Sequence, residues 1–456
     1  MDDSLNLRQT AMAISRPLAS ALSTDLYELN MVQSYLDLGE TSEAVFEFFV
    51  RKLPARRGFL MAAGLDTALA YLETLRFDAD DIGWLKGTGR FRPNMLDYLA
   101  AFRFTGDVHA MPEGTVFFPN EPILRIAAPL PQAQIVESLI INILHFQTLI
   151  ASKAARMVLA AKGKALSDFG LRSAHGAEAG LLSARASFIA GFAGAANVEA
   201  GRRFGIPIVG TMAHSFVQIH DDEAAAFEHF ALTRPDGVVL LIDTFDTEAG
   251  ARKAVALAHK LKADGIAIRG VRIDSGDLIA MSRKVRGILD AGGLKDTIIL
   301  VSGGVDEDFI ARVIAAGAPI DGFGVGASLD ASADAPVLEC AYKLQEYRGK
   351  ARRKLSEGKV TWPGRKQVWR QFGADGAMRG DILSIDADTQ DGEQLLVQVM
   401  KDGQRIGAIP SLTDIRAHAA RELARLPIPL QRLEGDAHYP VTIAGALVEL
   451  ARKTMR

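Results

Sequence analysis

The run GTMAHSFVQ, Gly210–Gln218, follows directly on the apolar Ile206-Pro207-Ile208-Val209, which reads as a short buried strand. It sets His214 and Ser215 at that strand's end. An imidazole there is either a packed junction residue or a group facing an open site, where it can act as base or as nitrogen nucleophile toward a phosphoryl group. Ser215 can N-cap the helix whose first turn is Asp221-Asp222-Glu223, or start an earlier turn. The run VRIDSGDL, Val271–Leu278, closes another strand, and alternation puts Arg272 and Asp274 on one face. The two read either as a structural ion pair or as ligand groups. In the second case Asp274 binds ribose hydroxyls or, through water, Mg²⁺, and Arg272 donates to an acidic substrate. Asp277 suits a helix N-terminus.

Two glycine-rich turns follow late strands: VSGGVDE, with Gly303 and Gly304, and GFGVGAS, with Gly326 and Ala327. Backbone N–H groups in such turns converge on a phosphate without Cβ obstruction, although each alone is equally an ordinary tight turn. SDFGLRSAHG, Ser167–Gly176, adds Phe169 and Arg172, either a core ring and a surface cation or a stacking face beside a carboxylate-binding guanidinium.

The elements that must carry these residues alternate from about residue 164 to about 329. Apolar runs at Ile206–Gly210, Val238–Thr244, Ile268–Asp274, Thr297–Gly303 and Ile320–Gly326 are separated by amphipathic segments such as Thr247–Lys262. This predicts parallel strands with crossover helices, and the absence of a Gly-x-Gly-x-x-Gly opener favours a barrel, whose strand ends carry the chemistry. The flanks read differently. Ala44–Pro54 and Asp107–Pro131 have the texture of an antiparallel sheet broken by Pro and Gly. After about residue 336 the chain is strand-like at Leu395–Met400 and helical near Leu412–Leu426. The expected fold is an α/β protein: an irregular α/β barrel over 136–335 and a second α+β domain built from both termini, 1–135 and 336–456.

Composition narrows the partners. A formal net charge of −3 over 456 residues provides no global field for nucleic acid or an anionic membrane, so any phosphate site must be local. The single cysteine, Cys340, rules out an intramolecular disulfide and a cysteine-rich metal site, and fits a cytoplasmic protein. Met1–Thr10 lacks the pattern of a signal peptide, and Ile135–Ala161, interrupted by Glu137, Lys153 and Arg156, is too polar for a lipid span. It reads as a long, largely buried helix.

In order along the chain, STDLYELNM (Ser23–Met31), FEFFVRKLPARRGFLMAAGL (Phe46–Leu65), SDFGLRSAHG, NVEAGRRFGIPIVGTMAHSFVQ (Asn197–Gln218), VRIDSGDL, VSGGVDE and GFGVGASL resemble the motifs of the nicotinate phosphoribosyltransferases. VLECAYKLQEY (Val337–Tyr347) and KLSEGKVTWPGRKQVWR (Lys354–Arg370) extend the resemblance over most of the chain. It implies transfer of the phosphoribosyl group of 5-phosphoribosyl-1-pyrophosphate to nicotinate, the first step of NAD salvage from nicotinate. The products are nicotinate mononucleotide and pyrophosphate, with Mg²⁺ present and ATP consumed through a phosphohistidine at His214. The resemblance further makes Tyr27 a ring-stacking residue given to a neighbouring subunit in a homodimer, opposite Phe169. Arg172 and Arg272 face substrate and phosphate, Ser215 lies beside the substrate, and Asp274 orients the ribose. Gly303, Gly304, Gly326 and Ala327 cradle the 5-phosphate. Among the basic residues Lys343, Lys354, Lys359, Arg365 and Lys366, the expectation is divided between a solvated face and pyrophosphate contacts. Ala327 stands where a hydroxyl residue is expected, with Ser328 as a possible replacement donor. Ala195 and Ala196 likewise replace hydroxyl residues near the base. The rival readings are a transferase for nicotinamide or quinolinate, and a non-catalytic nucleotide-binding relative.

Overall fold

The computed structural model describes residues 20–357, 359–434 and 437–454. Met1–Thr10, read above for a leader, lies outside them. Six parallel strands, β1 (Ala165–Asp168), β2 (Gly194–Ala195), β3 (Val238–Leu241), β4 (Ile268–Ile273), β5 (Ile298–Val301) and β6 (Gly322–Val325), form one curled sheet. Their spatial order is β2-β1-β6-β5-β4-β3. Most are near-continuous apolar runs, as strands covered on both faces must be. The barrel is only half closed. On the β2 edge it continues through a single parallel bridge, Ala195 to Ile208.

That bridge corrects the reading of Ile206–Val209 as a buried strand. Pro207 has no N–H to give a ladder, and Ile208 is 58% exposed. The segment keeps two bonds, Ala195 N–H to Pro207 O and Val209 N–H to Ala195 O, both 3.0 Å. Conversely, β1 and β2 are strands that the apolar runs did not single out. They are short, and small or polar residues fill most of them.

The helices after the strands begin on acids. Asp246, Asp277 and Asp306 accept backbone N–H groups three residues on and start Thr247–Leu261, Leu278–Ala291 and Glu307–Ala315. Asp222 does the same for Glu223–Thr233, so that cap is not Ser215. Ser215 is instead the second residue of a separate short helix, His214–Gln218.

Around the barrel lies the expected α+β region. In its seven-stranded sheet Glu43–Val50 is an interior strand, antiparallel both to the central Pro122–Pro129 and to Cys340–Tyr347, so residues from both ends of the sequence share one ladder. Asp107–Ala110 pairs with Val397–Lys401 in the same way. The helix Glu137–Ala161 joins the two regions. Its first half gives Ile140, Ile143, Leu144 and Leu149 to the core under this sheet, and its second half gives Ile150, Ala154 and Met157 to the barrel core. The switch to small residues lets the barrel sit close against the helix. Among the described residues no helix is long and apolar enough to cross a membrane.

Candidate active site at the barrel mouth

The carboxyl ends of β1, β4, β5 and β6 open onto a cavity of about 630 Å³. Phe169, Arg172, His214, Arg272, Asp274, Gly303, Gly304, Gly326 and Ala327 line it. Residues read from five separate stretches of sequence thus meet in one place. Ser215 and Tyr27 do not join them. Ser215 is exposed on its helix, and Tyr27 starts the helix Leu26–Leu38, 47% exposed and away from its own chain's cavity. Burial, then a hydrogen bond with Glu28, pushes the Tyr27 hydroxyl up and keeps it protonated.

Phe169 forms one wall. Its N–H bonds Val325 O at 2.7 Å, which draws the ring over β6. A Cβ on Gly324 would lie 2.4 Å from that ring, so only glycine lets the aromatic face settle here. Ala196 lies in the same wall, while Ala195 is buried in β2.

The opposite wall carries the charges. His214 Nδ1 is 3.1 Å from Thr244 Oγ1, and its Nε2 stands 4.0 Å from Asp274 Oδ2. The first contact orients the ring; the second is a long approach, open to a ligand atom. Asp274 is held from two sides. Its backbone N–H bonds Asp243 Oδ2 at 2.8 Å, and the Ser302 hydroxyl donates to its Oδ1. Asp243 Oδ2 also accepts the Ser275 hydroxyl at 2.7 Å, while its Oδ1 is buried without a partner. Arg272 gives one N–H to Met212 O at 3.0 Å and keeps its Nε buried and unpaired. Burial lowers its pKa, against the pull of Asp274 and Asp243. A buried donor without a partner costs stability and marks a place where a ligand can repay it.

Glycines shape the floor. Gly303 has φ +84° and Gly304 φ +65°, and a Cβ on Gly303 would lie 2.2 Å from Asp274 O. Ala327 brings no side-chain donor, and Ser328 does not supply one in its place, because its hydroxyl donates to Val305 O. The basic residues farther on are engaged elsewhere. Lys343 pairs with Glu137 at 3.1 Å, Arg365 with Glu346 at 2.8 Å and buried Lys366 with Glu47 at 2.7 Å; neither they nor Lys354 and Lys359 line the cavity. Asp277 is a helix cap and no more.

Sequence reasoning passed over Asp243, Thr244 and Ser302. The first two carried a usable signal, since Asp243-Thr244 closes an apolar strand as Asp274-Ser275 does. A second, more apolar cavity of about 440 Å³, bordered by Leu65, Arg185, Ile409 and His418, includes none of the strand-end residues. The mouth cavity is where the reactive groups converge.

Comparison with known proteins identifies the family. Residues 22–145 match the nicotinate phosphoribosyltransferase (NAPRTase) N-terminal domain, 164–357 the NAPRTase family and 386–451 the nicotinate phosphoribosyltransferase C-terminal domain. The nicotinate phosphoribosyltransferase pncB2 of Mycobacterium tuberculosis (strain ATCC 25618 / H37Rv) is 48% identical over 444 residues, covering 97% of this chain and 95% of that protein. The nicotinate phosphoribosyltransferase of Bacillus subtilis (strain 168) is 35% identical over 93% of each chain. The crystal structure of human nicotinic acid phosphoribosyltransferase superposes with a TM-score of 0.85 at 28% identity, covering 94% of this chain and 99% of that one. With three family models matched in order and relatives covering nearly its whole length, the chain belongs to the nicotinate phosphoribosyltransferase family.

Proposed function

We propose that the mouth cavity transfers the phosphoribosyl group of 5-phosphoribosyl-1-pyrophosphate to the ring nitrogen of nicotinate, in NAD salvage, and that His214 couples the step to ATP. The observation that carries this is the convergence of His214, Arg272 and Asp274 with two glycine turns on one cavity. Phe169 stacks on the pyridine ring, and Arg172 and Arg272 meet the substrate's anionic groups. As the C1–O bond to pyrophosphate breaks and the C1–N bond forms, the ribose gains oxocarbenium character. The fixed carboxylate of Asp274 favours that charge. The turns at Gly303-Gly304 and Gly326-Ala327 hold the 5-phosphate through backbone N–H groups. His214, oriented through Nδ1, takes the γ-phosphoryl group of ATP, releasing ADP, and water later frees phosphate.

The carboxylates present suit Mg²⁺. Asp274 lines the cavity, Asp243 behind it has an unpartnered oxygen, and among the described residues no group of three or more His, Cys, Asp or Glu could hold a metal. That is the donor set of an ion held by one or two carboxylates and by substrate phosphates. Bound there, it would neutralise pyrophosphate charge.

The active unit in this reading is a homodimer in which the partner's Tyr27 covers the open face of the pyridine ring. Its support is that Tyr27, 47% exposed, does not line its own chain's cavity, together with exposed apolar side chains of mouth segments, Leu171 at 42% and Ile208 at 58%. Dilution to monomer should abolish activity. We place the enzyme in the cytoplasm, where Cys340, its thiol pushed up to about 12 by burial, stays reduced. The division of labour follows the segments 1–135, 136–335 and 336–456, with 136–335 carrying the chemistry.

The test offers nicotinate, nicotinamide and quinolinate in parallel with ATP and Mg²⁺. Nicotinate alone should give product. His214→Ala should lose ATP stimulation, and Asp274→Asn should lose about 10²–10³ in kcat. No product from any base, with the protein folded, would leave a nucleotide-binding relative as the better reading.

A further inference from the structure

Behind the Phe169 wall, two carboxyl groups face each other out of solvent. Asp168 ends β1 and Asp330 ends the short helix Ala327–Asp330; they are 3% and 2% exposed. Asp168 Oδ1 accepts the Gly170 N–H at 2.8 Å, and Asp330 Oδ1 accepts the Ser183 hydroxyl at 2.9 Å. The remaining oxygen of each, Oδ2, is buried and finds no donor among the described residues. The two side chains are nevertheless within hydrogen-bonding reach of each other. Between two carboxylates that contact has no hydrogen. With one proton it becomes a hydrogen bond.

Among the described residues no cation balances the pair. From the helix Ala177–Ala190 only Ser183 and Ser187 reach it, and that helix's Arg185 is bonded to Glu113. From the helix Glu137–Ala161, Lys153 and Arg156 are held by Glu307. Arg172, on the adjoining turn, lines the cavity. Two touching carboxyls in such a place cannot both ionise near neutrality.

The pair sits between the two loops that the proposed function uses. Asp168 bonds the turn that carries Phe169 and Arg172, and Asp330 closes the helix that starts at the Gly326-Ala327 turn. Contact is close: a Cβ on Gly170 would lie 2.1 Å from Asp330 Oδ1.

We propose that Asp168 and Asp330 share one proton and, as positioning residues, latch the Phe169 turn to the phosphate turn, so that losing this proton at alkaline pH weakens base and phosphate binding together. The naming of the two turns rests on the proposed function; the shared proton does not. Burial raises both groups well above ordinary carboxyls, consistent with a retained proton. The sign follows. The folded state keeps a proton that the unfolded chain releases above about pH 4, so stability falls as pH rises through that window until the shared proton is gone.

The discriminating variant is Asp330→Asn, whose amide donates permanently. One pH unit beyond the wild-type alkaline midpoint, the wild type should have lost about tenfold in kcat/KM. Asp330→Asn should keep most of its neutral value there, with the difference carried by KM for both nicotinate and the ribose phosphate. An infrared difference spectrum, wild type minus Asp330→Asn at pH 7, should show the C=O stretch of a protonated carboxylic acid, and Asp168→Asn should remove the same band. An unchanged alkaline limb in folded Asp330→Asn, or no such band, overturns the latch. If the variants do not fold, the wild type alone decides: no carboxylic acid band disappearing across its alkaline limb refutes the proposal. Loss of nicotinate turnover in the wild type would strike the functional reading while leaving the band to report the proton.

Discussion

The barrel mouth and the junction around the antiparallel strands Lys366–Phe372 and Met378–Ile385, part of a separate four-stranded sheet, both bury charge, and the two guanidinium groups there are treated in opposite ways. At the junction Arg370, fully buried, gives Nε and Nη2 to the two oxygens of Asp381 at 3.0 and 2.7 Å and Nη1 to Glu422 at 2.8 Å. Tyr439 adds its hydroxyl to Asp381 at 2.9 Å, and Glu422 also accepts the Val116 N–H. This arginine has its partners inside the chain. At the mouth Arg272 keeps Nε unpaired, Asp243 keeps an oxygen unpaired and His214 stands 4.0 Å from Asp274. A guanidinium saturated by carboxylates joins segments that are far apart in sequence, even with Glu121 Oε1 unpartnered beside it; one left with a bare Nε has a donor to spare.

The comparison can be broken first at its saturated end. Asp381→Ala strands Arg370 without its bidentate partner and should cost about 3–5 kcal/mol in urea unfolding, while the folded fraction keeps its KM values. A loss below about 1 kcal/mol would show that water reaches this arginine. Next comes the geometry of the mouth. Gly303→Ala places a Cβ 2.2 Å from Asp274 O at φ +84°, and should cost about 1–3 kcal/mol by the same measurement. Unlike Asp381→Ala, it should also lower kcat in the protein that remains folded. The smallest effect sharpens the unsaturated end. Ala327→Thr restores a hydroxyl that Ser328 does not supply, and about 1 kcal/mol from one hydrogen bond should lower KM for the ribose phosphate about fivefold. An unchanged KM would mean that the backbone N–H groups already suffice.

Much of the mouth was legible because strand-end chemistry is local. Arg272 and Asp274 lie two residues apart across the end of β4, so period-2 alternation sends both the same way, and Gly303-Gly304 follow β5 after a single residue, Ser302. The caps at Asp246, Asp277 and Asp306 belong to the same class, since each side chain reaches only three residues along. Where the reading slipped, a nonlocal partner decided. Ile206–Val209 looked like a strand by its apolarity, yet Pro207 and a single neighbour at Ala195 left it one bridge. Ser328 looked free to bind phosphate until the fold brought Val305 O against it.

What the sequence by itself determined is most of the barrel's later elements and the order of reactive residues along them. Hydrophobic period, helix caps and positive-φ glycines act within a few residues of chain and are written there directly. Only the tertiary structure decided which groups are already spent. It closed Arg370 onto Asp381 and Glu422, paired Lys366 with Glu47 across 319 residues, and set Asp168 against Asp330 with no cation between them among the described residues. The physical reason is that satisfying a buried charge or donor depends on atoms that meet only when the chain folds, and no local pattern carries that distance.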